Sequence, residues 1–277
     1  MVTVALFFAL LHVAWAGLNA KNVVYAVNCG GPALKTKDGV RYEADTGYSS
    51  GISSDYGLNF ASIRNTKDSE LYQTERYDTQ TFSYQVPVPS DGVYTLVLKF
   101  SEVYFAAEGE KVFDVRIGDV EIISDLDVFA KVGKGAAYDE YVEITVKQGQ
   151  LYIDAQQVSK GLSAGKLTVD FVKGAADNPK INAIAVVRGT KEDTEFLEQK
   201  AKLESIARQK EQLKEQRNEP SDDAEDYETV DSVGELRKEE ASLLELVFST
   251  PGLVLVGVLC LSLAMVMRGG ASKPKES

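Results

Sequence analysis

The sequence predicts an all-β domain over residues 22–190 of the 277, and a β-sandwich is the architecture that fits best. Apolar and polar residues alternate through several short runs, as they do in strands that bury one face. Turn signals recur every 8 to 15 residues, and no run of helical period and credible length separates the strands. A domain of about 170 residues can bury enough surface to be stable without disulfides.

The alternation predicts the strands in chain order. Residues 92–100, GVYTLVLKF, place every second side chain on one face of a strand: Tyr94, Leu96, Leu98 and Phe100. Two hairpins follow in residues 111–123 and 140–156, with turns at Gly118-Asp119 and at Gly149. The runs KLTVDFV and INAIAVV add two short strands.

Residues 1–16 are predicted to be a secretory signal peptide. They carry no charged side chain, and an apolar run leads into Ala14-Trp15-Ala16, whose small residues suit a cleavage site. Cleavage removes His12, the single histidine, and Trp15, the single tryptophan. The mature chain then has no imidazole for Ser-His-Asp or Cys-His catalysis, or for a zinc site.

Residues 246–267 are predicted to be a transmembrane helix, because 22 residues without a charge can cross about 30 Å of hydrocarbon. The tail, residues 268–277, has three basic residues and one acidic residue. The positive-inside rule puts this tail in the cytosol and predicts a single-pass type I protein. Cys260 lies in this span, so no disulfide is expected within the domain, and Cys29 is interpreted as a small buried residue.

Residues 191–245 are predicted to be a stalk. Residues 194–217 favour a helix by composition, with a broken a/d pattern that indicates a solvated helix more than a coiled coil. Residues 219–228 contain six carboxylates and no basic residue, which is typical of a disordered spacer. Most of the formal net charge of −12 lies in this stalk. The domain itself is only mildly acidic, and no nucleic acid is expected as a partner.

Motifs for catalysis or cofactors are scarce in the domain. Gly133-Lys134-Gly135 is too short for a phosphate-binding loop. Asp125 and Asp127 lack the glycine and the bidentate glutamate of a calcium loop. No cofactor and no metal are therefore expected. A carboxylate pair for glycoside hydrolysis stays open, because an acidic domain supplies many candidates.

Aromatic residues beside loop signals are the stronger indication of function. A tyrosine offers a flat apolar face that suits the C–H face of a pyranose ring, and nearby carboxylates can accept hydrogen bonds from sugar hydroxyls. In residues 101–110, SEVYFAAEGE, strict strand alternation would send Tyr104 and Phe105 to opposite faces and bury one of them. If both contact a ligand, the strand must end by about Val103 and the pair must lie on a loop.

These stretches resemble the malectin family, membrane-anchored lectins of the endoplasmic reticulum. The resemblance covers about residues 24–189 and rests on seven motifs in one order: YAVNCGG, SSDYG, LYQTERYDTQTFSYQVPV, YTLVLKFSEVYFA, KVFDVRIGD, DLDVFAKVG and FVKGAADNPK. It implies a jelly-roll-like β-sandwich similar to carbohydrate-binding modules. The implied ligand is the diglucosylated arm of a high-mannose N-glycan, whose terminal diglucoside is similar to maltose or nigerose.

The resemblance also implies which residues bind carbohydrate. By their positions in the shared motifs, they are Tyr56, Tyr77, Tyr104, Phe105 and Asp177.

The sequence departs from the family pattern in two places. Ala175 and Ala176 stand where other members carry two tyrosines, which removes a wall of the expected pocket. Cys29 stands where an alanine is expected. Near the C-terminus, Lys273 and Lys275 resemble a dilysine retrieval signal, a receptor-read address of the early secretory pathway, although the positive-inside rule also accounts for both lysines.

The resulting hypothesis is a non-catalytic lectin of the endoplasmic reticulum membrane, with its sugar-binding domain in the lumen. There it would survey newly glycosylated proteins, with subunits of the oligosaccharyltransferase as expected neighbours. One alternative is a glycoside hydrolase that uses Asp177 as one of two carboxylates. The other is a scaffold whose stalk helix, rather than its sandwich, makes the important contact.

Overall fold

The computed structural model describes residues 21–194, and within them strands far outnumber helices. The chain divides into two units, Met1–Leu197 and Glu198–Ser277. The predicted signal peptide, the stalk beyond residue 194, the transmembrane helix and the tail with Lys273 and Lys275 all lie outside the described residues. Among residues 21–194, no helix is long and apolar enough to cross a membrane.

The larger sheet has six antiparallel strands in the order β1-β16-β7-β10-β11-β12. Its strands are β1 (Val23–Asn28), β7 (Gly92–Ser101), β10 (Ala137–Lys147), β11 (Gln150–Ile153), β12 (Gln156–Val158) and β16 (Ala183–Arg188). The central strand β7 is therefore paired on both edges over most of its length.

The second sheet has five strands in the order β13-β14-β8-β9, and β6 pairs with the other edge of β14. Its strands are β6 (Phe82–Pro87), β8 (Val112–Ile117), β9 (Val120–Leu126), β13 (Leu162–Ser163) and β14 (Lys166–Ala176). The long strand β14 pairs with β13 and β8 along one edge and with β6 along the other.

Shorter elements are built around these two sheets. The remaining strands are β2 (Leu34–Lys35), β3 (Arg41–Tyr42), β4 (Ile52–Ser54), β5 (Glu75–Tyr77) and β15 (Lys180–Ile181). The strands β15-β5-β4 form a three-stranded sheet. The helical segments are a 3₁₀ turn (Tyr56–Asn59) and two short helices, Glu70–Gln73 and Val128–Val132, and residues 191–194 are also helical.

One hydrophobic core is shared by the two main sheets, which is consistent with the predicted β-sandwich. The alternation read in residues 92–100 is confirmed, because the four predicted side chains are fully buried in this core: Tyr94, Leu96, Leu98 and Phe100. From the second sheet, Phe82 and Phe171 stack with ring centroids 5.1 Å apart in the same core. Burial of these aromatic and aliphatic side chains is the main stabilising contribution.

The other face of β7 is buried as well, which alternation alone did not predict. Val97 belongs to a second cluster, to which Tyr42, Ile63 and Leu71 contribute from elements outside the two main sheets. Beside it, the Lys99 ammonium lies 2.6 Å from the Asp139 carboxylate, so the buried lysine has a partner of opposite charge. A central strand covered on both faces can carry a residue at its end that is shielded from water.

Both predicted hairpin turns are present. Gly118-Asp119 joins β8 to β9, and Gln148-Gly149 joins β10 to β11. Gln148 and Gly149 both have positive φ, 54° and 71°, as expected for a two-residue hairpin loop whose twist matches that of its strands. Cys29 is fully buried in the shared core, where burial raises the pKa of its thiol, and this confirms its interpretation as a core residue.

Replacing Phe171 with alanine tests the shared core. We expect Phe171→Ala to lower the free energy of unfolding by about 3–5 kcal/mol, because it leaves a cavity beneath Phe82. Leu58→Ala, at an exposed position, should change it by no more than about 0.5 kcal/mol. Urea unfolding of the full chain in mild detergent, followed by circular dichroism, measures both. Equal effects of the two substitutions would contradict a core centred on Phe171.

Candidate functional site

The strand that carries SEVYFAAEGE ends before its aromatic pair. Strand β7 stops at Ser101, and Glu102 makes only an isolated bridge with Lys134. Tyr104 and Phe105 therefore lie on a loop, in agreement with the expectation that the strand ends by about Val103. The Tyr104 side chain is 61% exposed, whereas Phe105 is half-buried, so alternation across a strand does not govern where the two rings lie.

A single buried carboxylate fixes the start of this loop. Oε1 of Glu102 accepts hydrogen bonds from the backbone N–H groups of Tyr104, at 2.7 Å, and Phe105, at 3.0 Å. Consecutive amides that donate to one oxygen must point the same way, so the backbone turns instead of continuing in pleated form. Nζ of Lys134 donates to the carbonyl oxygen of Tyr104 at 2.8 Å, which holds the loop from its other side.

Two further carboxylates hold the tip of the loop. Backbone amides donate from Ala106 to Glu110 (3.1 Å), from Ala107 to Glu110 (2.9 Å) and from Gly109 to Asp127 (2.6 Å). Hydrogen bonds to ionised acceptors are stronger than those between neutral groups. Ala106, Ala107 and Gly109 thus belong to a loop of defined shape.

Three of the predicted sugar-binding residues form a continuous chain of ring contacts. The rings of Tyr56 and Tyr104 meet edge to face, with centroids 5.4 Å apart and an interplanar angle of 64°. The rings of Tyr104 and Phe105 meet in the same way, at 5.1 Å and 86°. Tyr56 is 44% exposed. The result is an aromatic surface with Tyr104 at its centre.

The position of Tyr56 depends on the glycine that follows it. A Cβ atom on Gly57 would lie 2.6 Å from both Cα and the carbonyl oxygen of Gln73, so the 3₁₀ turn can pack this closely only without a side chain. Nε2 of Gln73 donates to the carbonyl oxygen of Phe60 at 2.7 Å and fixes the far end of the turn. The glycine of SSDYG therefore serves to bring Tyr56 to Tyr104.

Strand pairing fixes the position of Tyr77. On β5 it lies directly opposite Ile52 of β4 on one side and Lys180 of β15 on the other. Directly opposed residues in antiparallel strands share a face, so Ile52, Tyr77 and Lys180 form one row. Glu75 is two residues from Tyr77 and shares that face, whereas Arg76 lies on the opposite face, where it stacks on Tyr48.

Asp177, the fifth predicted residue, follows the end of β14 and has a left-handed backbone with φ 47°. Its Oδ2 lies 3.2 Å from Nζ of Lys111, and the same ammonium lies 5.4 Å from the centre of the Phe105 ring. The Asp177 carboxylate is partly exposed and keeps room to accept further hydrogen bonds. Lys111 thus joins the carboxylate to the aromatic surface.

Buried charges connect these parts beneath the surface. Lys180 is fully buried, with its Nζ 2.6 Å from Oε2 of Glu75 and 4.0 Å from Oε2 of Glu102. Nζ of Lys111 lies 3.9 Å from the same Glu102 oxygen. Burial alone would raise the pKa of Glu102, but the two ammonium groups and the two loop amides outweigh it and hold the pKa below its usual range. Glu102 is therefore a buried anion that two lysines share.

The sequence did not indicate this buried network. Glu102 lies two residues before Tyr104, and an acidic residue at the end of an apolar strand is a signal that could have found it. Lys180 pairs with Glu75 across 105 residues of sequence, and no local pattern predicts such a contact. Ile52, exposed beside Tyr77, was also not anticipated, although it lies four residues before Tyr56.

The site lacks the two tyrosine rings that the family pattern implies beside Asp177. Ala175 is exposed and Ala176 half-buried beside Asp177, so neither adds a ring to the aromatic surface. Over residues 21–194, no group of three or more His, Cys, Asp or Glu side chains is arranged to hold a metal ion. The chemistry available is apolar contact by the rings and hydrogen bonding by Asp177 and its neighbours.

In a comparison with known protein families, residues 23–184 match the family model described as "Malectin domain". Malectin-A of Xenopus laevis is 42% identical over 187 residues, which cover 67% of this chain and 67% of the frog chain. Malectin of Homo sapiens is 42% identical over 193 residues, which cover 69% of this chain and 65% of the human chain. The chain thus matches about two thirds of the length of its curated relatives.

Among solved structures, the ANX2 ectodomain from Arabidopsis thaliana has a similar fold, with a TM-score of 0.50 at 16% identity. The similarity covers 61% of this chain and 51% of that one. At this identity it supports the β-fold alone.

The depressed pKa of Glu102 predicts how stability depends on pH. A carboxyl whose folded pKa lies below the unfolded value of about 4.3 stabilises the fold above that pH, and this stabilisation is lost as the pH falls through the folded pKa. We expect Glu102→Gln to lower the free energy of unfolding at pH 7 by about 3 kcal/mol, because it leaves two buried lysines short of a counter-charge. The difference from wild type should shrink as the pH falls below about 4.

Thermal unfolding of the full chain in mild detergent between pH 7 and pH 3 measures this difference. Glu121→Gln is the matched control, because Glu121 forms an exposed ion pair with Arg116, which contributes little. A Glu102→Gln deficit that stays constant over the whole pH range would show that Glu102 does not act through its charge.

Proposed function

Because the chain belongs to the malectin family, we propose that its carbohydrate-binding domain is a non-catalytic lectin for the diglucosylated arm of a high-mannose N-glycan. The proposed site consists of the five residues predicted from the shared motifs: Tyr56, Tyr77, Tyr104, Phe105 and Asp177. The observation that carries the proposal is the exposed chain of ring contacts centred on Tyr104.

The aromatic surface suits a neutral hexose. The C–H face of a pyranose ring packs on an exposed aromatic face, and burial of apolar surface then stabilises the complex. Rings that already contact each other have little freedom to lose on binding, which lowers the entropic cost of association. Tyr104, exposed but held at its backbone by Glu102 and Lys134, is the natural centre of such a contact.

Asp177 would orient the sugar. One of its oxygens faces Lys111, and the carboxylate retains the capacity to accept hydrogen bonds from sugar hydroxyl groups. Because Lys111 and Lys180 offset Glu102 and Glu75, the region has no strong local charge, in keeping with a neutral ligand. Ala175 and Ala176, in place of two tyrosines, imply weaker binding than in relatives that have both rings.

Binding without catalysis is favoured over hydrolysis of the same glycan arm. A glycosidase needs two carboxyl groups on either side of the scissile bond, one of them able to exchange a proton. Glu102, the carboxylate that shares Lys111 with Asp177, is buried and holds two loop amides and two ammonium neighbours. It is suited to positioning the loop and not to proton transfer.

The proposal includes a place for the protein in the cell. The predicted signal peptide, membrane span and dilysine motif would keep it in the endoplasmic reticulum membrane as a single-pass type I protein, with the sugar-binding domain in the lumen. Subunits of the oligosaccharyltransferase are proposed neighbours, since the protein would survey newly glycosylated proteins. The jelly-roll-like topology similar to carbohydrate-binding modules is part of the same proposal.

Binding of the full chain in mild detergent to an array of high-mannose N-glycans tests the ligand class. We expect a preference for glucosylated glycans, strongest for two glucose residues. Tyr104→Ala should weaken this binding about tenfold or more, because it removes the central ring. Tyr152→Ala is the matched control, since Tyr152 is a half-buried tyrosine on β11 of the larger sheet.

Two results would overturn the proposal. Equal binding to glucosylated and unglucosylated glycans would contradict the proposed ligand. Binding of Tyr104→Ala at the wild-type level would contradict the proposed site. Incubation with the diglucosylated glycan distinguishes binding from hydrolysis, because release of free glucose by the wild type, but not by Asp177→Asn, would favour the hydrolase.

A further inference from the structure

Most of the exposed large hydrophobic side chains in residues 21–194 lie within residues 52–58 or touch that segment. In the part of the chain that the structure describes, five large hydrophobic side chains are exposed: Tyr48, Ile52, Tyr56, Leu58 and Tyr104. Three of these fall within residues 52–58, and Tyr104 touches Tyr56. A single exposed apolar residue is ordinary, whereas one that adjoins a candidate site can enlarge the binding surface.

Ile52 is the member of this group that the aromatic chain does not explain. Its side chain is 55% exposed on β4, directly opposite Tyr77 of β5. Directly opposed residues have Cβ atoms about 4.5–5.5 Å apart and point to the same face. Ile52 therefore extends the face of Tyr77 on the side away from Lys180, toward the outer edge of the three-stranded sheet.

The other exposed residues differ from Ile52 in their position. Tyr48 stacks on the guanidinium of Arg76 at 3.4 Å, on the opposite face of β5. Leu58 lies on the 3₁₀ turn, two residues beyond Tyr56, and is not part of the β4–β5 pairing. Among these five residues, Ile52 alone combines exposure with a direct cross-strand partner in the proposed sugar site.

We propose that Ile52 contacts a third hexose of the bound glycan, beyond the two that the aromatic surface and Asp177 hold. This inference rests on the proposed function and adds a specificity-determining residue to it. An isoleucine side chain has no hydrogen-bonding group, so it can accept only the C–H face of the next sugar ring. Ile52 would thus favour ligands of three hexoses over disaccharides without fixing the orientation of the first two rings.

Isothermal titration of the full chain in mild detergent with maltose and maltotriose tests this role. Wild type should bind maltotriose roughly three- to tenfold more tightly than maltose, as expected for partial burial of one aliphatic side chain. Ile52→Ser should bind maltotriose with the same affinity as maltose, while its maltose affinity stays that of wild type. Leu58→Ser, at an equally exposed leucine, should keep the wild-type preference.

The possible failures can be told apart. Equal wild-type affinity for the two sugars, or an unchanged maltotriose preference in Ile52→Ser, would overturn the role of Ile52 and leave the proposed function standing. An equal loss of preference in Leu58→Ser would overturn the assignment to Ile52. Absence of maltose binding by the wild type, with no glucosylated glycan retained on the array, would overturn the proposed function and this inference with it.

Discussion

The candidate site depends on the buried carboxylate of Glu102. It stands at the end of a central strand that is covered on both faces, so its charge is shielded from water and must be satisfied by the protein. Lys111, just before β8, and Lys180, on β15, supply the counter-charge, and two loop amides supply hydrogen bonds. One side chain therefore ends the strand, turns the loop and connects the aromatic pair to Lys111 and Asp177. Such a network is effective only when every member is paired, because a buried charge left alone is costly.

Much of the fold follows from local pattern. The period-2 alternation in residues 92–100 predicts which side chains of β7 enter the core, and Gly118 and Gly149 mark two turns that the structure contains. These features were predictable because strand periodicity and turn chemistry act over a few neighbouring residues. Burial of the second face of β7 was not predictable in this way, since the segments that cover it are distant in sequence.

The site was predictable only in part, for the same reason. Family motifs and loop signals single out the residues that meet in the chain of rings, Tyr56, Tyr104 and Phe105. Tyr77 and Asp177 are placed by strand pairing and by Lys111, which depend on the tertiary fold. The question posed by adjacent aromatics in SEVYFAAEGE is also answered by tertiary structure. Alternation fails there because the Glu102 carboxylate accepts hydrogen bonds from the backbone amides of Tyr104 and Phe105. Strand propensities do not predict this interaction between a side chain and the backbone.

The central claim is that the rings held by this buried carboxylate are the surface on which sugar binds. Nuclear Overhauser effects between protein ring protons and the C–H protons of bound maltose test it most directly, with the full chain in mild detergent and selective labelling of tyrosine and phenylalanine. The account predicts contacts from Tyr104, Phe105 and Tyr56 to one face of the sugar, and their loss from Tyr104 and Phe105 in Glu102→Gln at pH 7. Bound maltose whose contacts arise from other rings, such as Tyr48, would contradict it.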